Sequence, residues 1–326
     1  MSLTANVPTG YLAPSKSDIS NPGLIMKHFF THTLAVLLLL ALVATEASAQ
    51  QFNKRKQYNS VGVSLNAMNY FGDIVPKASV PSFRFAATRP NIGLTFTRRF
   101  APRISGRAGL SYGRITGDDT KAANQNDSDA KYRYNRNFAF RNDIVELSAI
   151  GVFDLIENRN TYVRRPDFVP YVFAGVAAFY HSPKGLVKDN GTSAGLTPGD
   201  YIELQSLNTE GQTEGYSKTQ ISIPFGGGVR YKINKDFDIG LEIGWRKTFT
   251  DYLDDVSGNF AADADLRSPA AKYFGRDITL RTDGEFSQFN TPGDMRGKSN
   301  EDDWYIVTGI TLNYILQPRV KSPKFR

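Results

Sequence analysis

Cysteine is absent from the 326-residue sequence. Disulfides, thiolate metal sites and cysteine nucleophiles are all excluded with it. Long apolar runs are scarce too: past one near the N-terminus, no stretch approaches the roughly 20 apolar residues of a transmembrane helix. If such a chain sits in a membrane it must do so as a closed barrel, the other way to pair every backbone group. No basic block resembles a nucleic-acid arm, and the formal charge of +7 is spread along the sequence. An acidic partner or a phosphate-rich membrane surface suits that charge equally, and no nucleic acid is expected as a partner.

The one long apolar run reads as an export signal. Met26-Lys27-His28 opens a short basic region, Leu34 to Val43 is the apolar core, and Ala47-Ser48-Ala49 is a small-x-small cleavage pattern before Gln50. The run is short for a membrane anchor and ends in a cleavage site, so a cleaved signal over 26–49 is expected. Residues 1–25 read as an upstream extension, from a mis-assigned start codon. The division that follows is 50–57 as an N-terminal periplasmic segment, 58–316 as the barrel and 317–326 as a basic tail.

Period-two alternation, the mark of half-buried strands, recurs along the mature chain. Val61, Val63, Leu65 and Ala67 oppose Gly62, Ser64 and Asn66; Ile92, Leu94 and Phe96 oppose Gly93, Thr95 and Thr97. Ile104, Ala108, Leu110 and Tyr112 oppose Ser105, Arg107, Gly109 and Ser111. Asp143 to Leu155 keeps Val145, Leu147, Ala149 and Phe153 on one parity, whereas Val169 to Tyr180 is small or aromatic on both faces. Three clear runs follow, Ile221 to Ile233, Phe237 to Arg246 and Trp304 to Tyr314. The expectation is an all-β, eight-stranded antiparallel transmembrane β-barrel in a bacterial outer membrane, with lipid as its surroundings.

A soluble sandwich also alternates, so three further features decide. The polar face carries Gly, Ser, Thr and charged residues on strand after strand, as a narrow polar lumen requires. Aromatics gather toward strand ends: Phe100 and Tyr112, Phe237 and Trp245, Trp304 and Tyr314. Connections alternate between short (98–103, 157–168, 234–236) and long (69–88, 117–138, 181–216, 251–301), which matches short periplasmic turns and long extracellular loops. The last two loops have room for strand extensions beyond the membrane. The Asn234-Lys235-Asp236 loop pairs Ile233 with Phe237 and makes Arg230 and Glu242 diagonal neighbours inside. Arg107, Glu146 and Arg246 project inward on the same parity. Side chains fill so narrow a barrel, and these five charges are expected to form a lumen ion-pair network that plugs it rather than a path for ions.

Little in the sequence points to catalysis. His181, in Tyr180-His181-Ser182-Pro183, is the one histidine after the signal and reads as a solvated loop residue without a triad around it. Gly226-Gly227-Gly228 lacks the Lys-Ser/Thr of a phosphate loop and sits inside a strand, where glycine permits curvature or close packing. Asp251, Asp254, Asp255, Asp263 and Asp265 have oxygens that calcium accepts, but not at EF-hand spacing, and Asx turns suit them better. No enzyme activity, cofactor or metal is expected.

Several segments together resemble the PorG-like outer-membrane barrels: Asn69-Tyr70-Phe71-Gly72-Asp73, Arg89 to Leu94, Leu110 to Asp119, Phe138 to Leu147, and Pro170 to Gly175. Thr209-Glu210-Gly211-Gln212, Ile223 to Val229 and Arg246 to Gly258 complete the likeness, in order, over nearly all of 55–316. The resemblance implies a part in the type IX secretion system of the Bacteroidetes, which also serves gliding motility in some members. It implies a barrel associated with a periplasmic ring of a PorK-like lipoprotein and a PorN-like partner. Paralogous barrels occur in the same bacteria, and the resemblance carries over no catalytic residue and no role for Arg246 to Gly258. On that reading, contacts come from the short turns and the tail: Arg98, Arg99, Arg103, Arg159, Arg164, Arg165, Arg319, Lys321 and Lys324. Attraction to anionic headgroups is the competing use of these charges. A stand-alone pore or surface binder is the alternative function.

Overall fold

The computed structural model describes residues 56–74, 87–122, 131–188, 195–262, 264–275 and 292–317. The signal segment, the extension before it, Asp263, and the tail residues Arg319, Lys321 and Lys324 lie outside the described residues. Eight long strands carry the architecture: β1 (Asn59–Phe71), β2 (Arg89–Arg99), β3 (Ile104–Asp118), β4 (Ala139–Asp154), β5 (Phe168–Leu186), β7 (Thr219–Lys232), β8 (Phe237–Thr248) and β9 (Trp304–Leu316), with a three-residue β6 (Tyr201–Glu203). They pair antiparallel in the order β4-β3-β2-β1-β9-β8-β7-β5, and β4 pairing with β5 closes the ring. Closure leaves no long strand with an unpaired edge. The fold is an all-β, closed, eight-stranded antiparallel barrel.

The sequence alternation maps onto the two faces of this wall. Leu65 is 68% exposed, Leu147 62% and Ile221 60%, while Ser64, Glu146 and Ser222 beside them are buried. Leu94, Leu110 and Leu147 stand side by side in register across three strands. So much contiguous apolar surface far exceeds what a soluble monomer exposes and is the lipid-facing belt of a membrane barrel. Aromatic rings border it, with Phe237 against Tyr314 (5.2 Å between centroids) near one end and Phe225 against Trp245 (6.1 Å) and Trp304 (6.2 Å) toward the other. A Leu147→Arg substitution should therefore cost about 2–4 kcal/mol in a bilayer if this site lies near mid-depth. On a water-facing surface the same change would stay within about 0.5 kcal/mol. Denaturant titration of the refolded protein in lipid vesicles separates the two.

β5 resolves the strand whose facing the alternation left open: Val169, Tyr171, Phe173, Ala177 and Phe179 are buried inside, and Phe168, Val172, Val176 and Tyr180 face out. It also runs further than expected. Its pairing with β7 ends at Tyr180–Thr219, but its ladder with β4 continues to Gly185, and β6 takes over its free side at Lys184 to Leu186. In the last long loop the described residues form α3 (Pro269–Gly275) and an isolated Asn259–Met295 bridge. The loop after β3 contains two short helices, α1 (Asp119–Ala122) and α2 (Lys131–Arg136).

The lumen and its two closed ends as candidate functional site

Four of the five inward charges pair with one another within the lumen and the fifth reaches toward the short-turn end, not in the pairs that diagonal register suggests. Arg107 forks onto Glu242 (Nη2 to Oε2 3.1 Å), which also accepts a bond from the Tyr171 hydroxyl at 2.6 Å. Arg246 lies 3.5 Å from Glu146, whose carboxylate accepts the Tyr305 hydroxyl at 2.6 Å. Arg230 reaches past Glu242 to Asp154, at 2.8 Å. Gly228, directly opposite Glu242, leaves the room Tyr171 occupies: a Cβ there would stand 2.8 Å from the Tyr171 hydroxyl and 2.6 Å from the Leu241 carbonyl. The glycine run thus serves close packing. Arg107 and Glu242 line both a cavity of about 60 Å³ that also touches Glu146 and Arg246, and one of about 30 Å³ reaching Arg99 and Asp238. Each holds a few waters at most.

At the short-turn end, two arginines that had been expected as surface contacts turn inward instead. Arg99 is 2% exposed and binds Asp154 at 2.7 Å and the Pro102 carbonyl. Its position on the inward parity of β2 decides its direction. Arg165 is 5% exposed; it grips Asp238 at 2.6 Å and donates to the carbonyls of Tyr162, Asn234, Lys235 and Phe237. Five acceptors around one guanidinium make it a clamp between two turns rather than a free cation. Arg98, Arg159 and Arg164 are exposed; Arg103, half-buried, holds the Leu155 carbonyl at 2.7 Å.

The long-loop end is closed by the segment following β8. Leu253 and Val256 pack among Tyr70, Phe140, Ile144, Phe179 and Tyr305, all inward-facing side chains. This places much of the Arg246-to-Gly258 segment as a plug. Two buried arginines organise its polar side. Arg136 forks onto Asp119 at 2.7 and 2.8 Å. Arg296 binds Glu210 at 2.8 Å, Asp255 at 3.3 Å and the Phe274 carbonyl at 3.4 Å. Asp255 holds φ at +71° and accepts Thr209 at 2.5 Å and Tyr216 at 2.8 Å. Asp254 forms an Asx turn to the Val256 amide at 2.9 Å. Among the described residues no three acids or histidines are arranged to hold a metal ion.

His181 corrects the expectation of a solvated loop residue. It lies within β5 and is fully buried, with Nε2 3.2 Å from the Ser217 carbonyl and its ring stacked near Tyr216. The strand continues past it: Pro183 sits opposite Asn142 in the β4–β5 ladder, and the Asn142 side chain accepts the Ser182 amide. Among the described residues no nucleophile or acid is hydrogen-bonded to the imidazole, and its burial against Phe179 and Tyr216 makes His181 a packing residue in the plug.

Solved structures similar to this one share little sequence with it. Ail of Yersinia pestis, crystallised with the heparin analogue sucrose octasulfate, is 8% identical with a TM-score of 0.36, over 80% of this chain and 99% of its own. Neisserial surface protein A gives 9% and 0.36, over 78% and 96%. The outer membrane protein OprG of Pseudomonas aeruginosa gives 9% and 0.36, over 82% and 99%. No curated protein matches the chain. Residues 32–269, well over half of the sequence, match the family described as Domain of unknown function (DUF6089), and the chain belongs to that family.

Proposed function

We propose that this protein is a non-enzymatic barrel of the bacterial outer membrane, exported by a cleaved signal, that serves as a structural component of the type IX secretion and gliding machinery. Its task there is to anchor or position a periplasmic ring of a PorK-like lipoprotein and a PorN-like partner. One observation supports this most: the lumen is filled by ion pairs and the long-loop end is plugged, while the short-turn end keeps Arg98, Arg159 and Arg164 exposed. A barrel that is neither conduit nor reaction vessel acts through its surface. The short turns, on the periplasmic side in this reading, suit an acidic partner surface. The sequence resemblance to PorG-like barrels supplies the identity of that partner. Lumen charges Arg107, Glu146, Arg230, Glu242 and Arg246 stiffen the wall and take no part in binding.

A mild-detergent pull-down of the tagged protein from outer membranes, with mass spectrometry, tests the proposal. A ring-forming lipoprotein should co-elute stoichiometrically, and replacing Arg98, Arg159 and Arg164 by Glu together should abolish its recovery without disturbing the barrel. Recovery of the barrel alone, even after crosslinking, would favour a stand-alone pore or surface binder.

A further inference from the structure

The plug at the long-loop end contains more buried acid than base. Asp73 and Tyr70 come from β1 and the turn after it, Asp119 and Arg136 from the helices after β3, and Glu210 from the loop before β7. Asp251, Asp254 and Asp255 follow β8, and Arg296 and Asp303 precede β9. Arg136 is matched by Asp119, and Arg296 by Glu210 and Asp255. That leaves Asp73, Asp251, Asp254 and Asp303, each at most 8% exposed, with no basic group within ion-pair distance among the described residues. Among the described residues, Oδ2 of Asp73 is buried without a hydrogen-bond partner, and the carboxyl oxygens of Asp251 are buried with Ser257 as the side chain that offers them a hydrogen bond.

Geometry shows how part of this charge is cancelled. The Tyr70 hydroxyl stands 2.6 Å from Asp254 Oδ2 and 2.9 Å from Asp303 Oδ1. A phenol has one hydrogen to donate. If it goes to one carboxylate, the other short contact joins two oxygens and requires a proton on the second carboxyl. The remaining oxygens of the pair accept the backbone amides of Val256 and Leu253, so neither side chain can swing away without abandoning the plug. Gly72 fixes the approach: a Cβ there would lie 1.8 Å from Asp303 Oδ1 and 2.1 Å from the Tyr70 hydroxyl.

We propose that Asp254–Tyr70–Asp303, with Asp73 and Asp251 behind them, is a proton-held latch that keeps the long-loop end closed at neutral and acidic pH and releases it as the medium turns alkaline. Burial, reinforced by mutual repulsion, raises all four acids: Asp73 to about 6, Asp251 to about 9, and Asp254 and Asp303 well above their ordinary range. A group raised on folding stabilises the folded form fully below its ordinary value and loses that contribution as pH climbs through the raised one. Each acid's contribution therefore begins to fall above its ordinary value of roughly 4; that of Asp73 is gone beyond about pH 6 and that of Asp251 beyond about pH 9. The opposing charges that face it, Arg136 and Arg296, stay cationic across this range.

The test uses the full chain refolded in detergent. Its infrared spectrum at pH 7 should contain protonated-carboxyl absorption that fades toward pH 10 and is reduced in Asp254→Asn and in Asp303→Asn. Protease cleavage within 249–262 should accelerate at least ~10-fold from pH 6 to pH 10, matching about one unit of pKa shift. An Asp251→Asn/Asp254→Asn variant should stay resistant throughout. Absence of protonated carboxyl at pH 7 would overturn the proposal without any variant. So would a plug that opens at pH 6 on chelation and recloses with calcium, since a cation would then be the counter-charge.

Discussion

Replacing Arg296 by Met should open the plug while leaving the strand ladder intact. The guanidinium is 1% exposed and contacts Glu210, Asp255, the Asp255 carbonyl and the Phe274 carbonyl, while its own backbone carbonyl accepts Arg136 at 2.5 Å. Methionine fills a similar apolar volume over Phe138 but leaves Glu210 and Asp255 buried without a counter-charge. Breaking one side of a buried ion pair costs about 3–5 kcal/mol, chiefly from the charge left behind. Those carboxylates border a cluster already short of base, so where pH keeps them from being neutralised by protons the charge is relieved only by water, which requires the segment to leave the lumen. Circular dichroism of the detergent-refolded variant should retain the wild-type strand signal, and protease should gain a cleavage within 249–262 that the wild type resists. Adding Glu210→Gln and Asp255→Asn should recover most of the protection. Failure of that rescue would mean that the shape of the arginine, rather than its charge, holds the plug.

Much of the wall was legible in the sequence because each strand states its facing locally. Val61-Gly62-Val63-Ser64-Leu65 needs no distant partner to show which side is oily. The alternation left the facing open in β5, whose inward aromatics look like its outward ones. The five lumen charges were readable by parity, but their partners were not. Glu242 is 135 residues from Arg107, and strand order and stagger, not diagonal proximity on one hairpin, bring them together. Arg99 and Arg165 show a different limit: basic residues near turns look like surface charges, and only the closing of the ring puts Asp154 and Asp238 under them. The plug was least legible. Tyr70 meets acids 184 and 233 residues away, and its segments contain the Gly, Asp and Asn that ordinarily mark solvated loops. Its one local sign was the density of acids and buried-type residues in Thr250 to Gly258, which is more than turn formation requires.

The lumen gives the second large effect. In a Glu242→Ala variant, Arg107 keeps its cation–π contact with Phe173 (5.1 Å) but loses its only ion-pair partner among the described residues. Both side chains are under a fifth exposed, so the penalty is again about 3–5 kcal/mol, reduced to the extent that lumen water reaches the cation. The Tyr171 hydroxyl loses its acceptor in the same step. Removing Arg107 as well should be less damaging than removing Glu242 alone, since no orphan charge remains; a double-mutant cycle in urea reads this directly. The same variants locate the barrier to ion flow. Deleting this pair joins the cavities of about 60 and 30 Å³, but Leu253, Val256 and the aromatic side chains around them still fill the long-loop end. Planar-bilayer recordings of Arg107→Ala/Glu242→Ala should therefore stay silent, and conductance should emerge only when Arg296→Met is added and the Arg99–Asp154–Arg230 cluster at the short-turn end is removed as well. A conducting double variant with an intact plug would instead make the Arg107–Glu242 pair the gate, and would turn the function toward a pore.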